Sequence, residues 1–137
     1  MNFSWLKSSK KGWIFAFWFY FAVLITISIS AYLKVLPVKS STIPYYDTIG
    51  HFILLGMAAF FGHLALSKRK ISVWSISIPL APLLVAICCI ADELLQTLSP
   101  NRSASFYDLA ADWVGIAIFY LLAERVKLKK SLGEEKL

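Results

Sequence analysis

WIFAFWFYFAVLITISISAYL, residues Trp13–Leu33, decides the fold class. These twenty-one residues carry no charge and are bracketed by Lys10-Lys11 and Lys34. As a helix they span about 31 Å at 1.5 Å per residue, the thickness of a bilayer's hydrocarbon core. A secretory signal peptide is the alternative, but its apolar region usually stops at about 7–15 residues. Ser28-Ile29-Ser30 is also a weak cleavage site. A retained membrane helix fits better.

The rest of the chain agrees with this solvent. Of 137 residues 58% are hydrophobic and 16% charged, against roughly 25% charged in a soluble domain. Folded as a small sphere in water, such a chain would expose apolar patches that drive aggregation. Counting the first helix at about 13–34, three more apolar runs follow at about 49–67, 71–98 and 106–126. The last opens on Ser105-Phe106-Tyr107-Asp108, a Ser-x-x-Asp helix start. Pro79 and Pro82 fall inside the third run and predict a kink there. The expectation is an all-α integral membrane four-helix bundle forming one domain over residues 1–137. Trp5 suits an amphipathic lead-in, and residues 131–137 suit a frayed tail.

Net charge +6 could suggest nucleic acid, but the basic residues sit in tails and short loops between apolar runs. That distribution excludes a nucleic-acid surface and orients the chain instead. With four crossings, Lys7, Lys10, Lys11, the Lys68–Lys70 loop and the C-terminal bases share one side, which holds eleven Lys and Arg. The other side holds only Lys34, Lys39 and Arg102. Positive charge stays in the cytoplasm, so both termini are expected inside (N-in/C-in), with loops 34–48 and 99–105 outside. Cys88 and Cys89 are adjacent within an apolar run and are read as small core residues, not a disulfide or metal pair.

Ionisable residues in or beside membrane helices mark function by default, and here they converge. Asp47 and His51 begin the second helix; Asp92, Glu93 and Gln96 end the third; Arg102 lies in the outer loop; Asp108 and Asp112 begin the fourth. At 100° per residue Asp47 and His51 share a face, so the carboxylate could orient the imidazole. Asp92, Glu93 and Gln96 fall on one side of the third helix, and Leu94 and Leu95 on the other. Asp108 and Asp112 share an arc with Ala111 and Gly115, whose small-residue spacing suits close packing. Arg102 is the expected partner of these buried carboxylates. His63, about 18 Å along the helix from His51, cannot share a metal with it and is read as an interface histidine. Trp13, Tyr45, Tyr46 and Trp74 suit interface belts.

The ordered set Asp47-x-x-x-His51, Asp92-Glu93-x-x-Gln96, Arg102, Asp108 and Gly115 resembles the VanZ-like membrane proteins over about residues 45–120. Two positions depart from that pattern: Thr48 where a Lys commonly stands, and Asp112 where an Asn is usual. The first removes a positive charge and the second adds a negative one, which weakens any implied anion binding and favours a cation. The resemblance implies a bacterial cytoplasmic-membrane protein of the cell envelope. The family's namesake is linked to teicoplanin resistance, and the resemblance supplies no reaction.

Three functions fit these residues. The first is binding of an amphiphile's headgroup, a lipid-linked envelope component or a glycopeptide, in an outward pocket among helices two to four. There Arg102 would take a phosphate or carboxylate while Glu93, Gln96 and Asp112 accept from sugar or amine donors. The second is catalysis, with His51 as general base and Glu93 as general acid, or with His51, Glu93, Asp108 and Asp112 around a metal. The chain carries no nucleophile elbow and no His-Glu-x-x-His motif, so no cofactor or metal is expected. The third is a small subunit or assembly factor of a larger membrane complex, or a homo-oligomer, with membrane lipids around it.

Overall fold

The computed structural model describes residues 9–35 and 45–128. Within them the order is α1 (Lys10–Tyr32), α2 (Tyr46–Ala65), β1 (Lys70–Val73), β2 (Ile76–Pro79), α3 (Leu80–Gln96) and α4 (Phe106–Arg125). Trp5, Lys39 and the tail 131–137 lie outside the described residues. Three of these helices, α1, α2 and α4, are long and apolar enough to cross a membrane.

The third apolar run departs from the expectation. It does not form one helix from residue 71 kinked at Pro79 and Pro82. Residues 70–79 instead make an antiparallel hairpin pairing Lys70 with Pro79, Ile71 with Ile78 and Val73 with Ile76. Ile71-Ser72-Val73 and Ile76-Ser77-Ile78 alternate with a period of two, the strand signature. Trp74 turns the chain at φ 56° and is fully exposed. Pro79 is then the N-cap of α3 and Pro82 lies in its first turn. Proline is tolerated there because the N–H it lacks has no intrahelical partner anyway. The prolines start the helix instead of bending it.

The tightest packing joins α2 to α4. Gly56 and Gly115 face each other across that interface, and a Cβ on Gly115 would lie 2.2 Å from the Phe52 carbonyl oxygen. Only glycine allows this approach, as the small-residue spacing implies. Two apolar clusters follow it along the same two helices: Ala59, Cys89 and Ile116 beside the glycines, and Trp13, Leu64, Ala123 and Val126 farther on. Helix α1 buries only Trp13 and leaves Phe15, Trp18, Phe19 and Ile29 exposed, a surface suited to acyl chains and not to water.

Candidate functional site

The start of α2, the end of α3, the connection at 97–105 and the start of α4 meet at one end of the packed helices. The helix phase read from sequence places the polar side chains inward. Glu93, Asp108 and Asp112 are buried and Gln96 is 1% exposed, while Leu94 and Leu95 face out. Ser105 caps α4 by accepting the Asp108 backbone N–H at 3.4 Å.

At the centre is His51. Its Nδ1 lies 3.1 Å from Asp112 Oδ1, and its Nε2 lies 3.3 Å from an Arg102 guanidinium nitrogen. A guanidinium has no acceptor, so Nε2 must offer its lone pair. The proton then sits on Nδ1 and is donated to Asp112. The orienting carboxylate is therefore Asp112 from α4, not Asp47 one turn away on α2. Asp47 turns outward toward Arg102, 3.9 Å from its Nη1. The expectation that Arg102 pairs with the deep aspartates is corrected likewise: the loop bearing Arg102 closes over α2, and Thr48 Oγ1 donates to Asp108 Oδ1 at 2.6 Å.

Asp92 forms a second group. It accepts from the Tyr32 hydroxyl at 2.7 Å and from Gln96 Nε2 at 2.7 Å. Tyr32 also lies under the Arg102 guanidinium, 5.8 Å from its ring centre, and its carbonyl accepts from Asn101 at 2.9 Å. Glu93 Oε2 accepts the Ser105 backbone N–H at 3.0 Å. Glu93 Oε1 and Gln96 Oε1 are buried with no partner among the described residues. The sequence marked Ser105 as the start of α4 and Thr48 as a departure from the family pattern, but gave neither its carboxylate partner, and it gave Tyr32 no role.

A cavity of about 500 Å³ opens beside this cluster. Phe21, Leu24 and Ile25 of α1 and Leu54 and Leu55 of α2 make apolar walls, and Asp47, His51, Asp92, Arg102 and Asp112 cluster in its lining as the polar part. Helices two to four were expected to build the pocket. The glycine contact between α2 and α4 leaves no room there, so the space lies where α1 meets α2 and α3. Glu93, Gln96 and Asp108 stand behind the cavity, not in its wall.

His63 is not an interface side chain. It is completely buried, its Nε2 donates to Glu124 at 2.5 Å, and its ring meets Tyr120 edge-on at 5.0 Å. Lys68 donates to the Glu124 carbonyl at 2.6 Å, and Lys70 pairs with the Glu124 carboxylate at 3.6 Å. Tyr120 and then Glu124 raise the Lys70 ammonium above its ordinary value. This group ties the hairpin to α2 and α4 at the end remote from His51.

A family model described as VanZ/LLP1 matches residues 2–127. The chain belongs to the VanZ/LLP1 family. No curated protein and no solved structure matches it. The VanZ/LLP1 match takes in all four helices, the hairpin and both polar groups. Together with the three long apolar helices it makes the chain a membrane protein of the VanZ type.

Proposed function

We propose that this VanZ/LLP1 protein lies in a bacterial cytoplasmic membrane, crosses it four times with both termini inside, and holds an amphiphile's headgroup at its outer face. At 17 residues α3 reaches about 25 Å, short for a span but within what local thinning of the bilayer accommodates. The observation that carries the proposal is the cavity: apolar in most of its lining, with one guanidinium among carboxylates. Arg102 suits a phosphate or carboxylate. The surrounding Asp47, Asp92 and Asp112 repel a purely anionic head and accept from amine or hydroxyl donors. The ligand class is therefore a phosphate that also bears donors, as in a lipid-linked amino sugar, or a glycopeptide with an acyl tail. Capture of either at the envelope would bear on antibiotic resistance.

The test is thermal unfolding in detergent with added short-chain phosphatidylethanolamine or phosphatidylcholine, which share a phosphate but differ in donors. A ligand of the folded state at about 100 times its Kd adds about 2.7 kcal/mol. The ethanolamine lipid should raise the wild-type midpoint, the choline lipid should not, and Arg102→Ala should lose the shift. Equal shifts for both lipids, or a shift untouched by Arg102→Ala, would defeat the proposal.

Catalysis on a lipid-linked phosphate has one observation in its favour, the Asp112–His51 pair beside the cavity. A carboxylate holding Nδ1–H leaves Nε2 as a base. Turnover of a lipid phosphate by wild type and none by His51→Gln would promote this function. Substrate left intact by wild type would retire it.

A further inference from the structure

The geometry points to a divalent-cation site beside the cavity, with Asp47, His51 and Asp108 as its protein ligands. One oxygen from each aspartate and one imidazole nitrogen lie within 4.8 Å of one another. Four-coordinate donors at bonds of about 2.0–2.1 Å stand roughly 3.3 Å apart. The closing movement falls to Asp47, whose side chain is half exposed and is held only by the 3.9 Å contact with Arg102 among the described residues.

The neighbours prepare each ligand. Asp112 holds Nδ1 of His51, so Nε2 is the nitrogen left for a metal. Carboxylate, imidazole and cation in that order is the usual way a ligating histidine is oriented. Thr48 occupies Asp108 Oδ1, leaving Oδ2. A cationic group already stands at the position: the Arg102 guanidinium reaches both His51 Nε2 and Asp47 Oδ1.

An independent observation comes from Glu93. It is 8% exposed, one carboxylate oxygen accepts from Ser105, and the other is buried with no donor among the described residues. The carboxylate lies within electrostatic reach of His51, Asp108 and Asp112. A buried acceptor without a donor is costly. A cation beside Asp108 carrying bound water supplies both the charge and the missing donor. The donor set of one imidazole and two carboxylates suits Zn²⁺ or Mn²⁺ and suits Ca²⁺, which takes six to eight oxygens, poorly.

The site stands whether or not the cavity takes a lipid. Its test uses the full chain purified without a polyhistidine tag, stripped with EDTA and titrated with MnCl₂, free Mn²⁺ being read by electron paramagnetic resonance and ZnCl₂ serving as competitor. Wild type should bind one equivalent that Zn²⁺ displaces. Asp47→Asn and Asp108→Asn should each weaken binding at least about tenfold, and Asp112→Asn by about 10–100-fold as an orienting partner. Arg102→Gln should tighten Mn²⁺ binding, because the competing guanidinium is gone, while losing the ethanolamine-lipid shift; that variant separates failure of the metal site from failure of the headgroup site. Asp47 is exposed, so Asp47→Asn keeps the test readable if a buried variant fails to fold. No Mn²⁺ bound by wild type, affinity unchanged in both Asp47→Asn and Asp108→Asn, or affinity lowered by Arg102→Gln would each overturn the proposal.

Discussion

Replacing Gly115 by alanine should pry α2 from α4 at the depth of the His51–Asp112 pair. The added Cβ would sit 2.2 Å from the Phe52 carbonyl oxygen, 3.0 Å from its carbon and 3.2 Å from its Cα. All three are backbone atoms and cannot rotate aside. Restoring ordinary contact requires the helices to part by about 1 Å, in a packed interior that resists such change. Phe52 adjoins His51, and Gly115 lies one turn beyond Asp112, so the same parting stretches their 3.1 Å hydrogen bond to about 4 Å, past bonding range. Overpacking costs about 1–3 kcal/mol, and a lost hydrogen bond to a charged group costs about 1.5–3 kcal/mol. Alanine's helix propensity returns about 1 kcal/mol. The net loss is about 1.5–5 kcal/mol, read from denaturant titration in detergent followed by tryptophan fluorescence. Gly50→Ala is the control, since its Cβ meets nothing within 4 Å; it should gain up to about 1 kcal/mol. A Gly115→Ala protein as stable as wild type would refute the close approach of α2 and α4.

Three further outcomes follow from the same contacts. Gly56→Ala should destabilise less than Gly115→Ala, because its nearest clash, 2.5 Å, is with the Phe119 ring, which can turn; an equal or larger loss in the same titration would contradict this. Tyr32→Phe removes the hydroxyl that donates to Asp92 at 2.7 Å and should cost about 1–2 kcal/mol; a loss within error of zero would mean Asp92 is satisfied without it. Glu124→Gln weakens the His63 bond and the Lys70 pair together, at about 1–3 kcal/mol, and should speed amide exchange in the hairpin; unchanged exchange at residues 70–79 would show that the hairpin holds without the clasp.

Hydropathy alone located α1, α2 and α4, because a bilayer-length apolar run has few other uses. It failed at residues 70–79 for a physical reason. Ile71, Val73, Ile76 and Ile78 raise the hydropathy of a helix and of a strand alike, and only their alternation with Ser72 and Ser77 tells the two apart. Pro79 then reads as a kink when the run is taken whole and as a helix start once the hairpin is seen. At the polar cluster, helix phase was legible, so Glu93, Gln96, Asp108 and Asp112 could be read as facing inward. Their pairings were not. Asp47 is one turn from His51 in sequence, yet Asp112, 61 residues away, holds the imidazole, because the Gly115 contact brings α4 closer than the first turn of α2 can reach. His63 shows the same limit: nothing local to it reveals Glu124, 61 residues on.

A headgroup gripped by Arg102 in the cavity should survive native mass spectrometry that retains lipid, run on wild type and on Glu93→Gln/Arg102→Ala. Wild type should carry a phosphate-bearing lipid or glycolipid that is missing from the double variant while both proteins remain folded. The same adducts on both proteins would contradict it and leave the buried carboxylates as a clasp between helices.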